Sequence, residues 1–375
     1  MYKIMTPGPT QVAENVRLAR SRECTNPDLD ESFVEFYKET CEEISRLLHT
    51  DNETLILGGE GILGLEAACA SMTEPGDRVL VLDNGIYGRG FADFVSMYGG
   101  CPELYSRDYR ETLDVQELEA FLKEHHDYKY ATVVHGDTPS GMLNDVSAIC
   151  PLLKKYGIMT VVDSVSASFG EPMRISDWQI DIMCGGSQKV VSAPPGLTFV
   201  VISDDAKKAM TERKTPIASF YANLTTFAHY YEEKWFPYTM PISDIYGLKA
   251  AMDNIAADKD LIKRHARIAN ATRKAIEAFG LKLHLESGFS DTVTVFDVPE
   301  GMTADDILER MREKHGIMLA GSFGELAGKV IRIGHMGASA NVGDMLEVMS
   351  GLEETLRYLG WKSENSLLGV FYTEL

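Results

Sequence analysis

Short apolar runs alternate with helix-length segments through the first half of this 375-residue chain. The runs cover residues 54–57, 78–82, 131–135, 160–163, 181–184 and 197–203. Strands that are separated by helices join through right-handed crossovers and form a mainly parallel sheet with helices on both faces. Ligands of such sheets bind at the carboxyl ends of the strands. The pattern therefore predicts an α/β fold with its functional site at that edge.

Beyond residue 244 the pattern changes to long helices and then to fewer, shorter strands. Helices are predicted within 244–280, at 303–315 and, as the last one, at 344–358, with strands at 292–296 and 329–333. Short strands flanked by helices favour a second, smaller α/β domain. We expect an N-terminal arm at 1–15, a large domain at 16–262 and a small C-terminal domain at 263–375.

The composition indicates which binding partners we do not expect for this protein. The formal net charge is −20, and a protein without a large basic surface cannot offset phosphate repulsion, so we expect neither nucleic acid nor a membrane as a partner. The six cysteines are scattered, with no spacing typical of zinc or of a disulfide framework, and we expect no metal. Because the N-terminus also lacks the apolar stretch of a signal peptide, we expect a cytoplasmic protein.

Two residues at strand ends carry the clearest chemistry. Lys189 follows a glycine turn after the predicted strand 181–184, and Asp163 ends the preceding one. An amine and a carboxylate in these positions suit a site that holds a pyridine ring by its aldehyde carbon and its nitrogen. The amine would form a Schiff base and transfer a substrate proton, while the carboxylate keeps the ring nitrogen protonated. Alternatively, Lys189 is a solvated lysine and Asp163 caps a turn.

Three further residues fit the same interpretation. Tyr87, flanked by glycines, is suited to stack on the ring, although a loop tyrosine is more often ordinary packing. Thr138 could donate its hydroxyl to the phenolic oxygen of the ring, or it is a plain turn residue. Arg332 lies inside an apolar strand, where its guanidinium would bind either a substrate α-carboxylate or an acidic residue of this chain.

These residues belong to an ordered set of motifs that resembles a known family. The motifs are TPGPT at 6–10, GGEG at 58–61, NGIYG at 84–88, DSV at 163–165, QK at 188–189, PPG at 194–196 and RIG at 332–334. Over essentially the whole chain, the set resembles the fold-type I, class V aminotransferases of the alanine–glyoxylate and serine–pyruvate branch.

The resemblance implies a transferase that uses pyridoxal 5′-phosphate and works as a homodimer with shared active sites. It implies that Lys189 is the Schiff-base lysine, Asp163 contacts the pyridine nitrogen, Tyr87 stacks on the ring and Arg332 binds the substrate carboxylate. The other residues that it places at the site are Gly8 for the substrate and Glu60, Gly61, Ile62, Thr138, Val165, Gln188 and Thr239 for the cofactor, with Thr239 reaching across from the partner subunit.

The expected phosphate site departs from the family pattern. The helix that begins near Gly61 should bind the phosphate with its free N–H groups, and the family motif Ser-Gly-His falls here on Glu60-Gly61-Ile62. Either Glu60 turns outward and Gln188, Thr239 and the helix terminus still hold a phosphate, or the ring is unphosphorylated and Glu60 accepts a hydrogen bond from its hydroxymethyl group. The second option resembles the pyridoxamine–pyruvate branch, in which vitamin B6 is a substrate.

Two aromatic residues bear on that choice. Phe236 stands where the resemblance places a tyrosine in the phosphate-binding members of the family, which agrees with an unphosphorylated ring. Phe323 stands where the resemblance places a second arginine in the pyridoxamine–pyruvate branch. Its absence argues against pyridoxamine and pyruvate as substrates, and the aromatic residue favours a less polar substrate side chain.

The sequence thus predicts a transaminase that exchanges an amino group between an alanine-like or serine-like donor and a 2-oxo acid such as pyruvate or glyoxylate. The rivals are a pyridoxamine–pyruvate aminotransferase, a pyridoxal-dependent lyase or cysteine desulfurase, and a ligand-sensing domain without turnover.

Overall fold

The computed structural model describes residues 2–375. Its strands are β1 Lys3–Ile4, β2 Glu53–Gly58, β3 Arg78–Asp83, β4 Cys101–Ser106, β5 Tyr130–Val134, β6 Gly136–Asp137, β7 Met142–Leu143, β8 Met159–Asp163, β9 Ile182–Gly186, β10 Leu197–Ile202, β11 Val293–Asp297, β12 Ile317–Met318 and β13 Val330–Gly334. Its α-helices are α1 Glu14–Ala19, α2 Glu31–Leu47, α3 Gly61–Met72, α4 Ile86–Met97, α5 Val115–Glu124, α6 Val146–Lys155, α7 Asp204–Thr211, α8 Tyr230–Glu233, α9 Ile242–Ala257, α10 Leu261–Ala278, α11 Ala304–His315, α12 Val342–Tyr358 and α13 Leu367–Glu374. None of these helices is both long enough and apolar enough to cross a bilayer.

A seven-stranded sheet organises the first two thirds of the chain. Its strand order is β2-β10-β9-β8-β5-β3-β4, and only β10 runs antiparallel to its neighbours. The central strands β5, β8 and β9 are buried along their whole length or nearly so, because helices cover both faces of the sheet. The six strands that the sequence predicted are all present, and the predicted mainly parallel sheet is confirmed.

The seventh strand, β4, was not predicted, because its sequence contains no apolar run. It lies at the edge of the sheet, is mostly exposed and contains Pro102. A proline cannot donate to a strand ladder, so it is tolerated at an edge, and an exposed edge strand needs no apolar run.

The crossover helices begin at residues whose side chains cap the free N–H groups of the first turn. Asp114 accepts a hydrogen bond from the Glu117 N–H at the start of α5. Asp145 does the same for Ala148 at the start of α6. Such caps each stabilise a helix by about 1 kcal/mol and fix where it begins. They therefore set the lengths of the loops that end at the carboxyl edge of the sheet.

A second cluster of buried apolar residues is formed by α10 to α13 with β11 and β13. The helix predicted at 344–358 corresponds to α12. The prediction that it is the last helix was wrong, because α13 follows it. Helix α13 packs on α10 and α12 through the fully buried Leu367 and Phe371. It was missed because its apolar content has little 3.6-residue periodicity. The domain limits at 15 and 262 remain predictions.

The N-terminal segment joins this second cluster before it reaches the sheet. Strand β1 pairs in parallel with β12, and Met5 is fully buried in the cluster. The Gly334 N–H donates to the Met5 carbonyl at 2.7 Å. Residues 6–10 then run from β13 towards Lys189.

Candidate active site

Most of the predicted site residues line one pocket at the carboxyl edge of the sheet. They are Glu60, Gly61, Ile62, Tyr87, Thr138, Asp163, Val165 and Lys189. The loops after β2, β3, β5, β8 and β9 bring these residues together, as parallel strands that end at one edge require. Gly8, Gln188 and Arg332 lie beside the pocket through contacts described below, and Thr239 does not reach it.

Lys189 lies in the turn after β9 and is held by the N-terminal segment. Its Nζ donates a hydrogen bond to the Pro7 carbonyl at 2.6 Å. Gly8 lies so close that a Cβ there would be 2.5 Å from the Lys189 Cδ and Nζ. Burial lowers the pKa of the Lys189 amine to about 8, the charge of Arg332 adds to the shift, and Asp163 opposes it. The amine is therefore partly neutral at mildly alkaline pH.

Asp163 ends β8 and is 5% exposed. Its Oδ1 accepts a hydrogen bond from the Val165 N–H at 2.9 Å. Burial raises the pKa of the Asp163 carboxyl to about 7, against the opposing effects of that N–H and of Lys189. None of the residues 2–375 forms an ion pair with it. A buried carboxylate without an ion-pair partner is suited to a ligand that supplies a positive charge, such as a protonated pyridine nitrogen.

Tyr87 lies in the first turn of α4. A Cβ at Gly88 would lie 2.8 Å from the Leu82 carbonyl oxygen, so glycine allows α4 to pack closely on β3. This packing directs Tyr87 into the pocket. Burial raises the pKa of the Tyr87 phenol to about 12, and the charge of Asp163 adds to the shift. The phenol therefore stays neutral across the physiological range.

Thr138 is presented by the tight turn between β6 and β7. The Asp137 Oδ2 accepts hydrogen bonds from the N–H of Ser140 at 3.1 Å and from its hydroxyl at 2.6 Å, which fixes the turn. The Thr138 carbonyl oxygen accepts a hydrogen bond from the Arg332 Nη1 at 3.3 Å. The turn thus connects the ring pocket to β13.

Arg332 extends from β13 over the pocket edge. Its Nε donates to the Gly321 carbonyl at 2.5 Å. Burial lowers the pKa of its guanidinium. No acidic residue among residues 2–375 forms an ion pair with it, so the structural ion pair considered from the sequence has no partner here. A half-buried guanidinium bound only by carbonyl groups retains the capacity to bind a carboxylate.

Glu60 caps α3 instead of turning away from it. Its Oε2 accepts a hydrogen bond from the Ile62 N–H at 2.9 Å, and its Oε1 accepts one from the Gln188 side-chain amide. The outward orientation considered from the sequence is therefore wrong for this structure. The Gln188 Oε1 is buried and has no hydrogen-bond partner among the described residues.

The two remaining residues of the predicted phosphate site lie elsewhere. Thr239 is exposed and donates a hydrogen bond to Asp28 at 3.4 Å. Phe236 is buried against Phe33, Tyr37 and Tyr230. Within one chain, the pocket therefore fits a pyridine ring with an aldehyde carbon, but it presents a carboxylate at the helix terminus where a phosphate group is expected.

The pocket also contains residues that the sequence reading did not single out, namely Leu65, Gly136 and Ser166. The Ser166 hydroxyl donates to the Gly136 carbonyl at 2.6 Å and joins two of the loops. Leu65 follows Gly61 by four residues and so lies on the same helix face, a spacing that could have identified it. No comparable sequence signal distinguishes Ser166 or Gly136, because their contact depends on the sheet.

A lysine amine, a buried carboxylate and an arginine without an acidic partner among residues 2–375 are the groups that an enzyme acting on amino acids through a pyridoxal ring needs. The chain belongs to the class V aminotransferase family, whose model (aminotransferase class-V) matches residues 8–335. The predicted family, the fold-type I architecture and the identification as an aminotransferase are thereby confirmed.

Relatives extend over nearly the whole chain. The chain is 34% identical to pyridoxamine–pyruvate transaminase of Mesorhizobium japonicum over 84% of its own length and 81% of that protein. It is 30% identical to serine–glyoxylate aminotransferase of Arabidopsis thaliana, over 96% and 91% of the two chains. The crystal structure of ureidoglycine–glyoxylate aminotransferase from Bacillus subtilis superposes with a TM-score of 0.95 at 27% identity, covering 100% of this chain and 98% of that one.

Proposed function

We propose that this aminotransferase exchanges an amino group between a small amino acid, such as alanine or serine, and a 2-oxo acid, such as pyruvate or glyoxylate. The observation that carries the proposal is the unpaired Arg332 beside the pocket of Lys189 and Asp163. A guanidinium fork binds the α-carboxylate that amino acids and 2-oxo acids share, so one site serves both halves of the reaction. The names of the relatives agree with it.

A bound pyridoxal ring supplies an aldehyde carbon and a heterocycle that withdraws electrons from the substrate α-carbon. Asp163 holds a proton at the ring nitrogen, because a buried carboxylate is stabilised by that charge. Lys189 would move a proton between the substrate α-carbon and the former aldehyde carbon of the ring, acting as a general base in its neutral form. A pKa of about 8 makes that form accessible near neutral pH.

Arg332 and Tyr87 orient the reacting groups. Arg332 fixes the substrate carboxylate, so that the α-hydrogen faces Lys189. Tyr87 would lie against the face of a bound ring, and the Thr138 hydroxyl would donate to its phenolic oxygen. The same residues act in both directions, first releasing one 2-oxo acid and then accepting the second.

A specific observation favours a second candidate, in which the substrate is unphosphorylated pyridoxamine. Glu60 and Gln188 are hydrogen-bonded to each other at the amino end of α3. A carboxylate there repels a phosphate dianion by about 2 to 8 kcal/mol for groups near 4 Å, depending on the effective dielectric. It accepts a hydrogen bond from a hydroxymethyl group without that repulsion. The phosphorylated cofactor stays the first candidate because the family uses it and the helix terminus is present.

The carbon–sulfur rival lacks a suitable nucleophile. A desulfurase requires a mobile, accessible thiolate, and among the described residues no cysteine lines the pocket. Cys184 lies nearest in the chain to Lys189, but it is fully buried in β9. Burial raises the pKa of its thiol well above the usual value, which keeps it protonated.

A homodimer with shared active sites is part of the proposal. Phe220, Tyr221 and Trp235 are each more than half exposed in a single chain. They lie in the same stretch of sequence as Thr239, which does not line the pocket of its own chain. Pairing of two chains through this stretch would bury the aromatic rings and deliver Thr239 to the other pocket. A cytoplasmic location stays a prediction from the scattered cysteines.

The experiment that tests the function follows the two half-reactions separately. Purified protein is supplied with pyridoxal 5′-phosphate or with pyridoxal and then mixed with L-alanine. Conversion of the aldehyde absorbance to that of the amine, with one pyruvate released per ring, supports transamination. Absence of conversion with every amino acid tested and with both rings would contradict it. Mass measurement of the ring released from freshly purified protein separates the two candidates.

A further inference from the structure

Phe323 lies beside the ring pocket, next to Tyr87, which lines it. Its side chain is 42% exposed. The ring centroid is 6.0 Å from that of Tyr87 in an edge-to-face arrangement, and the Arg332 Cζ lies 5.9 Å from it. The loop is fixed next to α4, since a Cβ at Gly324 would lie 3.1 Å from the Ile86 Cδ1. An aromatic ring is thus held between the residue that faces the cofactor ring and the residue proposed to bind the substrate.

The charges around this position are unfavourable for a second substrate carboxylate. Lys189 is the only cationic side chain among the described residues that line the pocket, which also contains Glu60 and Asp163. Under the proposed function Arg332 is occupied by the α-carboxylate. A substrate side-chain carboxylate would lose water at an aromatic ring and gain no cation in return. An apolar side chain would instead cover the exposed ring, which is favourable.

We propose that Phe323 forms the subsite for the substrate side chain and selects amino acids and 2-oxo acids with uncharged side chains over those with a second carboxylate. The proposal rests on the proposed function, in which Arg332 binds the α-carboxylate. The edge-to-face contact with Tyr87 and the contact with Arg332 keep Phe323 at a fixed distance from both. The residue acts on the choice of substrate and takes no part in the proton transfer.

L-Leucine and L-aspartate provide the test, because their side chains branch at the same atom and differ in charge. The ratio of kcat/KM for leucine to that for aspartate should exceed about 10, since even one methylene group in an apolar pocket changes kcat/KM by about 10- to 200-fold. Phe323→Arg should lower the ratio at least about tenfold by supplying a cation, and Phe323→Leu should keep it within about threefold. Tyr372→Arg changes an aromatic residue that is 70% exposed on α13 and should leave the ratio unchanged.

Alanine turnover in each variant distinguishes failure of the subsite from failure of the proposed function. A wild-type preference for aspartate, or an unchanged ratio in Phe323→Arg while alanine is still converted, would overturn the subsite. Failure of the wild-type enzyme to convert any amino acid would overturn the function on which the subsite rests.

Discussion

The side-chain amide of Gln188 donates a hydrogen bond to Glu60, and Glu60 in turn accepts the Ile62 N–H of α3. The pair occupies a side-chain donor and a backbone donor that a phosphate group would need at this helix terminus. We therefore expect the choice between a phosphorylated and an unphosphorylated ring to depend on the Glu60 carboxylate.

Replacement of that carboxylate should change the ring preference. Glu60→Ser removes the negative charge and leaves a hydroxyl donor at the cap. We expect the affinity for pyridoxal 5′-phosphate relative to pyridoxal to rise at least about tenfold, because the repulsion removed is on the order of 1 kcal/mol or more. Titration of the apoenzyme with each ring, followed by absorbance, measures the ratio. Glu364→Ser, at an exposed glutamate, is the control, and an unchanged ratio in Glu60→Ser would show that the carboxylate does not select the ring.

Lys189 should be indispensable for proton transfer and unnecessary for folding. Lys189→Ala should lower kcat by about 10²- to 10⁴-fold, the range typical of a lost general base. Its thermal midpoint should not fall, since burial disfavours the charged amine in the folded state. Single-turnover absorbance and thermal unfolding give the two readouts. Lys362→Ala alters an exposed lysine and should leave both unchanged; retained turnover in Lys189→Ala would remove the mechanism.

Arg332 should act mainly on substrate binding. Arg332→Gln should raise KM for both amino acids and 2-oxo acids by about 10- to 100-fold, because a charge-assisted hydrogen bond contributes about 1.5–3 kcal/mol. Arg332→Lys keeps the charge without the planar fork and should fall between the wild type and Arg332→Gln. Steady-state kinetics with L-alanine and pyruvate measure the effect. An Arg332→Gln enzyme with an unchanged KM for both substrates would place the carboxylate elsewhere.

Substitutions at Gly8 and Gly360 should distinguish steric hindrance at Lys189 from backbone strain. Gly8→Ala places a methyl group about 2.5 Å from the lysine side chain at a φ of +103°. Gly360 has a φ of +101° and nothing within 4 Å of a Cβ. Both substitutions should destabilise the fold by about 1 kcal/mol, since L-residues disfavour this conformation. Only Gly8→Ala should also lower kcat, measured with L-alanine at saturation; equal kcat values in the two variants would contradict the contact.

The Asp163 carboxyl should stabilise the folded apoenzyme less as the pH rises towards neutrality. In the folded protein the pKa of the Asp163 carboxyl is about 7, against 3.8 for an unperturbed aspartate. Between these values Asp163 retains a proton in the folded protein that it has released in the unfolded chain, so its contribution to the free energy of unfolding falls as the pH increases. Asp163→Asn should remove this contribution, so its free energy of unfolding relative to that of the wild type should rise between pH 5 and about 7, as measured by urea unfolding. Asp51→Asn, at an exposed aspartate, should retain it, and an unchanged slope in Asp163→Asn would contradict the raised pKa.

The site could be predicted to the extent that it follows strand ends. Lys189, Asp163, Tyr87 and Thr138 lie directly after apolar runs or within the glycine-rich turns that follow them. Because parallel strands end at one edge, their order along the chain was sufficient to bring them to one pocket. The edge strand β4 and the helix α13 were missed because their stabilisation comes from neighbours and not from their own periodicity.

The sequence by itself determined the parallel sheet, the lysine and carboxylate at its edge and the family to which the chain belongs, because these depend on local patterns and motif order. Only the tertiary structure decided the direction of the Glu60 carboxylate, the absence of an acidic partner for Arg332 among the described residues, and the contact of Phe323 with Tyr87. Each of these joins residues far apart in the chain, and their distances follow from the packing of the sheet, α3 and the second cluster, which no local pattern specifies.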